Sequence, residues 1–563
     1  MIAKLVQSLR LALSKPATSV QLCLIGLMGG LIAAVVIIVF RLCLAFLQIS
    51  ILGGIGQYNA IDSLQLFALP IIAVVLIITI AKMTGFKHYR MGIPFVIHRF
   101  KVFYGHIPLA TSINQFFGGL LALASGFVVG KEGPTVHLAA AASHYVGRGF
   151  KLPFNSLRIL AGCGIAAGIA AAFNTPFAAV IFVMEVVMRE YKVHIFIPVM
   201  LAAACGSVLT RLVFGDVTEL AFFTFTAMQY SQLPLLIALG VFLGILASVF
   251  NRQLMLTMKL FRPVSMTRRL LLAGLFTGTV AYFMPQALGT EFININAFVE
   301  GAPLLADIAV LFAAKFVLAL IAISLGVPGG IIGAVMVIGI LAGVLFMQPI
   351  SLLIDTSLLT GNYALLGLAG FLAAVLHAPM AAISAVMELS STQQIILPAL
   401  ITVVSAYVTS KQLCKNRSIF IQQLEYQDLP YTTTAIRDVL QDTGVMAIMR
   451  QDMKIFDDKH DADMFAYLQD NPAHLVVSEK LNEKSGLREW QLVDLDVSLQ
   501  ANAYPITLHN MEEVSDQNTL AEVYELLYKK RQGGVAIYGD DPQVLCGIIT
   551  WNMLHTYLMR QQH

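Results

Sequence analysis

Charge is what this chain lacks. Only 12% of its 563 residues are Asp, Glu, Lys or Arg, where a soluble domain has about 25%. The deficit is concentrated in roughly the first 420 residues, which excludes a large water-soluble enzyme body there. Cysteine is scarce too. Cys23, Cys43, Cys163, Cys205, Cys414 and Cys546 are scattered without a CxxC pair, and most lie in or beside apolar segments. They read as small buried hydrophobes rather than disulfides or metal ligands. There is no HExxH and no GxxxxGK[ST], which removes the zinc-protease and ATP-driven-pump readings. No enzymatic activity, no cofactor and no nucleic-acid partner is expected. The first apolar run is short and no small-residue cleavage site follows it, which argues against a signal peptide.

What is abundant is apolar sequence, 58% of the chain. Windows such as Leu22 to Phe46, Leu160 to Val187, Leu235 to Phe250, Ile308 to Leu325 and Leu365 to Met387 approach or exceed the roughly 20 residues that span a bilayer. Several are short or interrupted by Gly and Pro, as in transport proteins, where irregular backbone lines a site inside the protein. Lys4, Arg10 and Lys15 precede the first window, and Arg262, Arg268 and Arg269 lie between two later ones. The positive-inside bias then puts both termini in the cytoplasm. Residues 1–17 read as an interfacial amphipathic helix. Compact loops and few cysteines point to a bacterial-type inner membrane.

The apolar part contains an internal repeat. GIAAGIAAAFNTPFAAVIFVMEV, starting at Gly164, and GLAGFLAAVLHAPMAAISAVMEL, starting at Gly367, align at an offset of 203. Pro176 matches Pro379, and Glu185 matches Glu388. A duplicated domain with broken helices implies two halves meeting around a midplane site. Glu185 and Glu388 each end an apolar helix, where a carboxylate can satisfy neighbouring backbone groups.

Three interrupted segments carry the chemistry: Met91-Gly92-Ile93-Pro94 after Lys87 and Arg90; Gly130-Lys131-Glu132-Gly133-Pro134-Thr135-Val136-His137; and Gly326-Val327-Pro328-Gly329-Gly330-Ile331-Ile332-Gly333. Each ends a loop and begins an apolar helix. Each therefore offers free N–H groups and the positive end of a helix dipole at membrane depth. Converging ends of this kind hold a dehydrated anion without a full cation that would trap it. Glu132 sits where such an anion would sit, and a carboxylate in a membrane segment marks a functional position.

In this order the motifs resemble the CLC family of chloride channels and chloride/proton antiporters, over about residues 18–425, with Arg417-Ser418-Ile419-Phe420 near the end of the match. The resemblance implies an all-α polytopic membrane domain at 18–425, with antiparallel repeats at about 18–214 and 230–413, assembled as a homodimer in the lipid bilayer. It implies chloride or another small monovalent anion as substrate, with protons as a second candidate. Glu132 becomes the gating glutamate. The anion-binding positions are Met91, Gly92, Ile93, Lys131, Gly133, Ile331, Ile332, Gly333 and Phe420. This chain departs from the family where serine and tyrosine hydroxyls normally face the anion: Met91 and Phe420 stand there. The carboxylate that passes protons from the cytoplasm in family antiporters is replaced by Val186. The expectation is a gated passive chloride channel. A chloride/proton antiporter with another proton path, a fluoride-handling member, and a membrane receptor acting through its tail are the alternatives.

Residues 426–563 are richer in charge. TLAEVYELLYKK reads as a helix, Gly534 to Tyr538 and Gly547 to Thr550 as strands, and Asp540-Asp541 as a turn. This resembles the second half of a CBS pair, an α/β cytoplasmic domain, with a weaker first copy near Ile436 to Val439 and His474 to Ser478. The Asp that binds adenine nucleotides in some CBS pairs is replaced by Met553.

Overall fold

The computed structural model describes all residues except 1, 18, 87–90, 217–218, 221, 224, 227–231, 301–302, 352–359, 433, 458–459, 473, 482–487, 496–503, 540, 542 and 562–563. Lys87, Arg90 and Asp540 therefore lie outside the described residues, as does the side chain of Lys4. Two compact units result: residues 23–147 with 158–431, and residues 1–22 with 148–157 and 432–563.

The larger unit is helical. Among the described residues, eight helices are long and apolar enough to cross a membrane. They divide by surroundings. Val20–Leu52 turns Val35, Val39 and Phe46 outward, whereas the apolar window of Phe154–Phe173 is buried throughout. The first kind presents an apolar outer face, and the second is part of the core. Glycines permit the closest approaches: a methyl on Gly339 would lie 2.8 Å from the Gly367 carbonyl oxygen.

Two of the long apolar windows are broken in the structure, as expected of Pro-interrupted segments. Leu160 to Val187 divides between Phe154–Phe173 and Pro176–Phe182, and Leu365 to Met387 between Thr360–Leu376 and Pro379–Ser390. The breaks fall on Asn174 (φ 56°) and His377 (φ 58°), both left-handed, each followed by a helix with Pro at its start. Proline cannot donate the N–H that would continue the helix. The short helices then cap one another. Glu185 accepts from Ala381 N–H at 2.7 Å and Met380 N–H at 3.3 Å. Glu388 accepts from Ala178 N–H at 2.7 Å and Phe177 N–H at 3.0 Å. Donors and acceptors all obey the offset of 203 seen in the sequence. Each carboxylate is thus occupied by orphan N–H groups at a helix start. The segment that carries Glu185, Val183–Met188, winds as a π-helix, and Val186 within it is buried.

Glu190 is the part-buried charge centre of this region. It pairs with Lys101 at 2.6 Å, Arg158 at 2.5 Å and Lys192 at 3.1 Å. Burial pushes its carboxyl up, but Arg158 and the two lysines outweigh that and hold it at about 2. Its stabilisation is therefore fully present above the ordinary carboxylate range and lost only as pH falls toward about 2. Glu190→Ala removes the shared carboxylate from Lys101, Lys192 and Arg158, whose side chain is 2% exposed, and should cost about 3–5 kcal/mol. A thermal-unfolding midpoint within a degree of wild type would show that the cations find other partners.

The smaller unit contains two sheets. The first has the order β1 (Met453–Asp457), β2 (Leu475–Leu481), β3 (Arg488–Leu495), β4 (Ile506–Asn510), and the second β5 (Glu512–Ser515), β6 (Gly534–Tyr538), β7 (Leu545–Thr550). In each, a parallel pair joined through a helix is followed by an antiparallel strand, so the β-α-β-β order occurs twice. Val477, Trp490 and Leu492 of the first sheet share a core with Ala536 and Ile548 of the second. The TLAE run forms the helix Leu520–Leu527 with a capping box: Glu522 accepts from the Thr519 N–H at 2.9 Å, and the Thr519 hydroxyl caps the first turn. The N-terminal helix Ile2–Leu13 belongs to this unit: Arg10 pairs with Asp516 at 2.6 Å, and the Gly444 N–H bonds the Ser14 carbonyl at 2.8 Å.

Candidate functional site

The three interrupted segments each end at a helix start: Gly92–Val102, Glu132–Gly149 and Ile332–Ser351. Gly92 takes φ 76°, a left-handed value that glycine alone adopts freely, so the preceding Met91 can turn its extended backbone into the helix. Gly130 and Gly330 form an isolated antiparallel bridge, with N–H···O bonds of 2.7 and 2.6 Å in the two directions. This bridge ties the second motif to the third and holds their helix starts side by side.

The bridge is braced from behind. Lys315, fully buried, donates to the carbonyls of Ala287, Leu288 and Gly289 at 3.3, 3.1 and 2.9 Å. The Gly289 N–H then bonds the Gly126 carbonyl at 2.9 Å, and the Thr290 hydroxyl bonds the Val129 carbonyl at 3.2 Å. A buried ammonium that caps carbonyls is satisfied without a counter-ion. Through it, the loop next to Gly130 is fixed to the helix Leu305–Leu325.

Glu132 is 4% exposed, and its Oε2 is buried with no hydrogen-bond partner. The carboxylate lies in the space left by absent side chains: a methyl on Gly330 would lie 2.8 Å from Oε2, and one on Gly333 3.1 Å from Oε1. It is held against the two bridged loops by shape and by the backbone N–H groups of Glu132 and Gly333 at the two helix starts, which favour negative charge. His137, one turn and a half further along, stacks on Phe95 with ring centroids 5.8 Å apart and contacts the Thr111 hydroxyl at 3.2 Å. It thereby seats the Glu132 helix on the Gly92 helix.

The structure divides the candidate anion residues between two cavities. Met91, Gly92, Ile93, Ile331 and Phe420 line one of about 330 Å³, together with Ser324, Gln423, Arg262 and Arg269. Glu132 and Ile332 line a second, apolar one of about 60 Å³ with Val136, Phe173 and Met336. Gly133 sits against the Gly329–Gly330 backbone, and Gly333 against Glu132. Lys131 lines neither cavity; its ammonium pairs with Glu219. Val186 is absent from both linings and is 7% exposed.

Sequence reasoning did not single out Ser324, Gln423 or Glu219. Gln423 lies one turn after Phe420 in Ile419–Tyr426, so helical spacing from Phe420 was the available signal. Glu219 lies in a connecting segment with no motif to mark it. Arg262 and Arg269, topology signals in the sequence, bring positive charge to the larger cavity. Arg262 lies 3.5 Å from Asp428, and the Nε of Arg269 is buried without a partner.

The family profile described as Voltage gated chloride channel matches residues 69–411. The H(+)/Cl(-) exchange transporter ClcA of Vibrio campbellii is 28% identical over 336 residues, 56% of this chain and 71% of that relative. The protein of the same name from Vibrio cholerae is 28% identical over 334 residues, again 56% and 71%. Among solved structures, a slow cyanobacterial Cl-/H+ antiporter superposes with a TM-score of 0.64 at 23% identity, covering 72% of this chain and 97% of that one. A eukaryotic CLC transporter superposes at 0.59 and 20% identity, covering 97% and 98%. That likeness of fold runs through the C-terminal unit.

Proposed function

The chain belongs to the CLC family of voltage gated chloride channels and transporters, a family of multi-pass membrane proteins for anion transport, and from that premise we propose that it is a gated passive chloride pathway with Glu132 as the gate. Ionised, the Glu132 carboxylate acts as a tethered anion lodged against Gly130, Gly330 and Gly333. Protonated, it loses the attraction of the helix-start amides and leaves the place to a chloride ion arriving from the cavity of Met91, Ile331 and Phe420.

The observation that carries the passive reading is that, among the described residues, the position that bears the proton-passing carboxylate in family antiporters is Val186 and its acidic neighbours are already engaged. Val186 has no titratable group. Its neighbour Glu185 is engaged by the N–H groups of Met380 and Ala381. Glu190 is held ionised by three cations. The exchange reading has its own support, since relatives over the same residues are named H(+)/Cl(-) exchange transporters. Purified protein in liposomes separates the two. A chloride gradient should drive chloride without moving protons uphill, and uphill proton movement would establish exchange and overturn the passive reading. Absence of any anion flux would favour a receptor acting through the tail.

The central cavity bears on affinity. With Met91 and Phe420 on its wall, two hydroxyl donors are missing, and a hydrogen bond to a charged partner contributes about 1.5–3 kcal/mol. Met91→Ser should tighten anion binding by about tenfold to a hundredfold, read by calorimetric chloride titration. Unchanged affinity would mean that backbone N–H groups alone set it. The tail is assigned as a CBS-type pair on its doubled β-α-β-β order. Its role is structural, since Met553 offers no carboxylate to a ribose.

A further inference from the structure

Lys131 stands one residue before the gate, yet it turns away from both cavities. Its ammonium lies 4.2 Å over the Phe173 ring and pairs with Glu219. Glu219 comes from the segment between the helices Val193–Phe214 and Leu233–Leu260, the connection between the two halves. The two side chains are 24% and 22% exposed, so dissolved ions reach the pair. A second cation stands close. Arg41 donates to the Ala171 carbonyl at 2.7 Å, lies 4.0 Å over the Phe214 ring, and feels the Glu219 charge. Glu219 thus faces Lys131 and Arg41, with the carboxylate of Glu132 just beyond.

A plain structural purpose for this pair would be to pin the connecting segment. That purpose is already served. Leu220 is fully buried, and its N–H bonds the Leu389 carbonyl at 3.1 Å. Further along, Thr226 exchanges two hydrogen bonds with the Asn362 side chain, at 2.9 and 2.8 Å. A part-exposed ion pair adds little holding energy to such anchors. What the pair does change is the potential at the mouth. While Glu219 holds Lys131, an anion arriving there meets a nearly neutral pair.

We propose that Glu219 is a positioning residue for anion entry: a second tethered carboxylate that occupies Lys131 and is displaced by the incoming anion before that anion competes with Glu132. The proposal rests on the reading of Glu132 as the gate. Lys131 exchanges one negative partner for another, so the anion is drawn to the mouth without being trapped on a bare cation. Entry from the Lys131 face and entry from the Met91 face are then set by different residues.

The test is chloride flux through the full chain in liposomes, with chloride varied on one face at a time. Glu219→Gln removes the competitor and should lower the half-saturating chloride on the Lys131 face by about two- to fivefold. The opposite face should not respond, and maximal flux should change less than half-saturation does. Glu219→Asp should restore wild-type behaviour, and in a Lys131→Met background Glu219→Gln should have no further effect. An unaltered half-saturation, an equal change on both faces, or an effect that persists without Lys131 would each overturn the proposal. Glu132→Gln measured alongside separates the two readings. If its flux remains as pH-dependent as wild type, the gate reading has failed; if its flux is flat with pH while Glu219→Gln changes nothing, only the entry role has failed.

Discussion

Glu132→Gln should leave anion flux running but independent of pH. Glutamine has the volume of glutamate and no charge at any pH, so the helix starts keep their shape. What disappears is the tethered anion. In the wild-type protein the ionised carboxylate lies against Gly130, Gly330 and Gly333, where N–H groups at two helix starts favour a negative charge. On the gate reading, a chloride ion must displace it. An interaction with a charged group contributes about 1.5–3 kcal/mol per hydrogen bond, so removing the competitor should raise flux at neutral pH by about an order of magnitude. At acid pH wild type and variant should converge, because protonation does to Glu132 what the substitution does permanently. Flux measured from acid to neutral pH in liposomes gives a rising profile toward acid for wild type and a flat one for the variant. A variant profile parallel to wild type would place the gate on another residue.

The Glu132 helix start was legible because its motif is local. Gly130 to Pro134 announces a helix start with a carboxylate in it, and the structure begins a helix at Glu132. Pro176 and Pro379 were legible for the same reason. That helices break was expected, but the residues at the breaks were not named: Asn174 and His377 sit inside apolar windows, and hydropathy over a span averages two helices into one. The mutual capping of Glu185 and Glu388 was half visible. The sequence showed that they correspond, but the partners lie about 200 residues away in the chain and no local pattern names them. The Gly130–Gly330 bridge was hidden for the same cause. In the C-terminal unit the second β-α-β-β copy was readable from its alternation. The first was faint, because β1 alternates weakly and has no fully buried residue.

Gly330→Ala should abolish flux by opening the bridge between the two motifs. A methyl there would lie 2.6 Å from the Gly133 nitrogen, 2.8 Å from Glu132 Oε2 and 3.2 Å from the Gly130 carbonyl oxygen. Two of these are backbone atoms and cannot swing aside. Pro134 follows Gly133 and bears on Gly119, where a methyl would already be 2.6 Å from its ring, so the Glu132 helix has no room to retreat. The loops must part instead, and the N–H···O bonds of 2.7 and 2.6 Å between Gly130 and Gly330 lengthen or break. Overpacking of this kind costs about 1–3 kcal/mol. The fold as a whole should survive that, with a thermal midpoint a few degrees lower. The site should not survive it, because its helix starts are aligned by this bridge and a displacement of about an ångström disperses a preorganised set of donors. Gly149→Ala is the control: it lies at the far end of the Glu132 helix with nothing within 4 Å of the added methyl. Wild-type flux in Gly330→Ala would mean that the anion does not pass where the two loops meet.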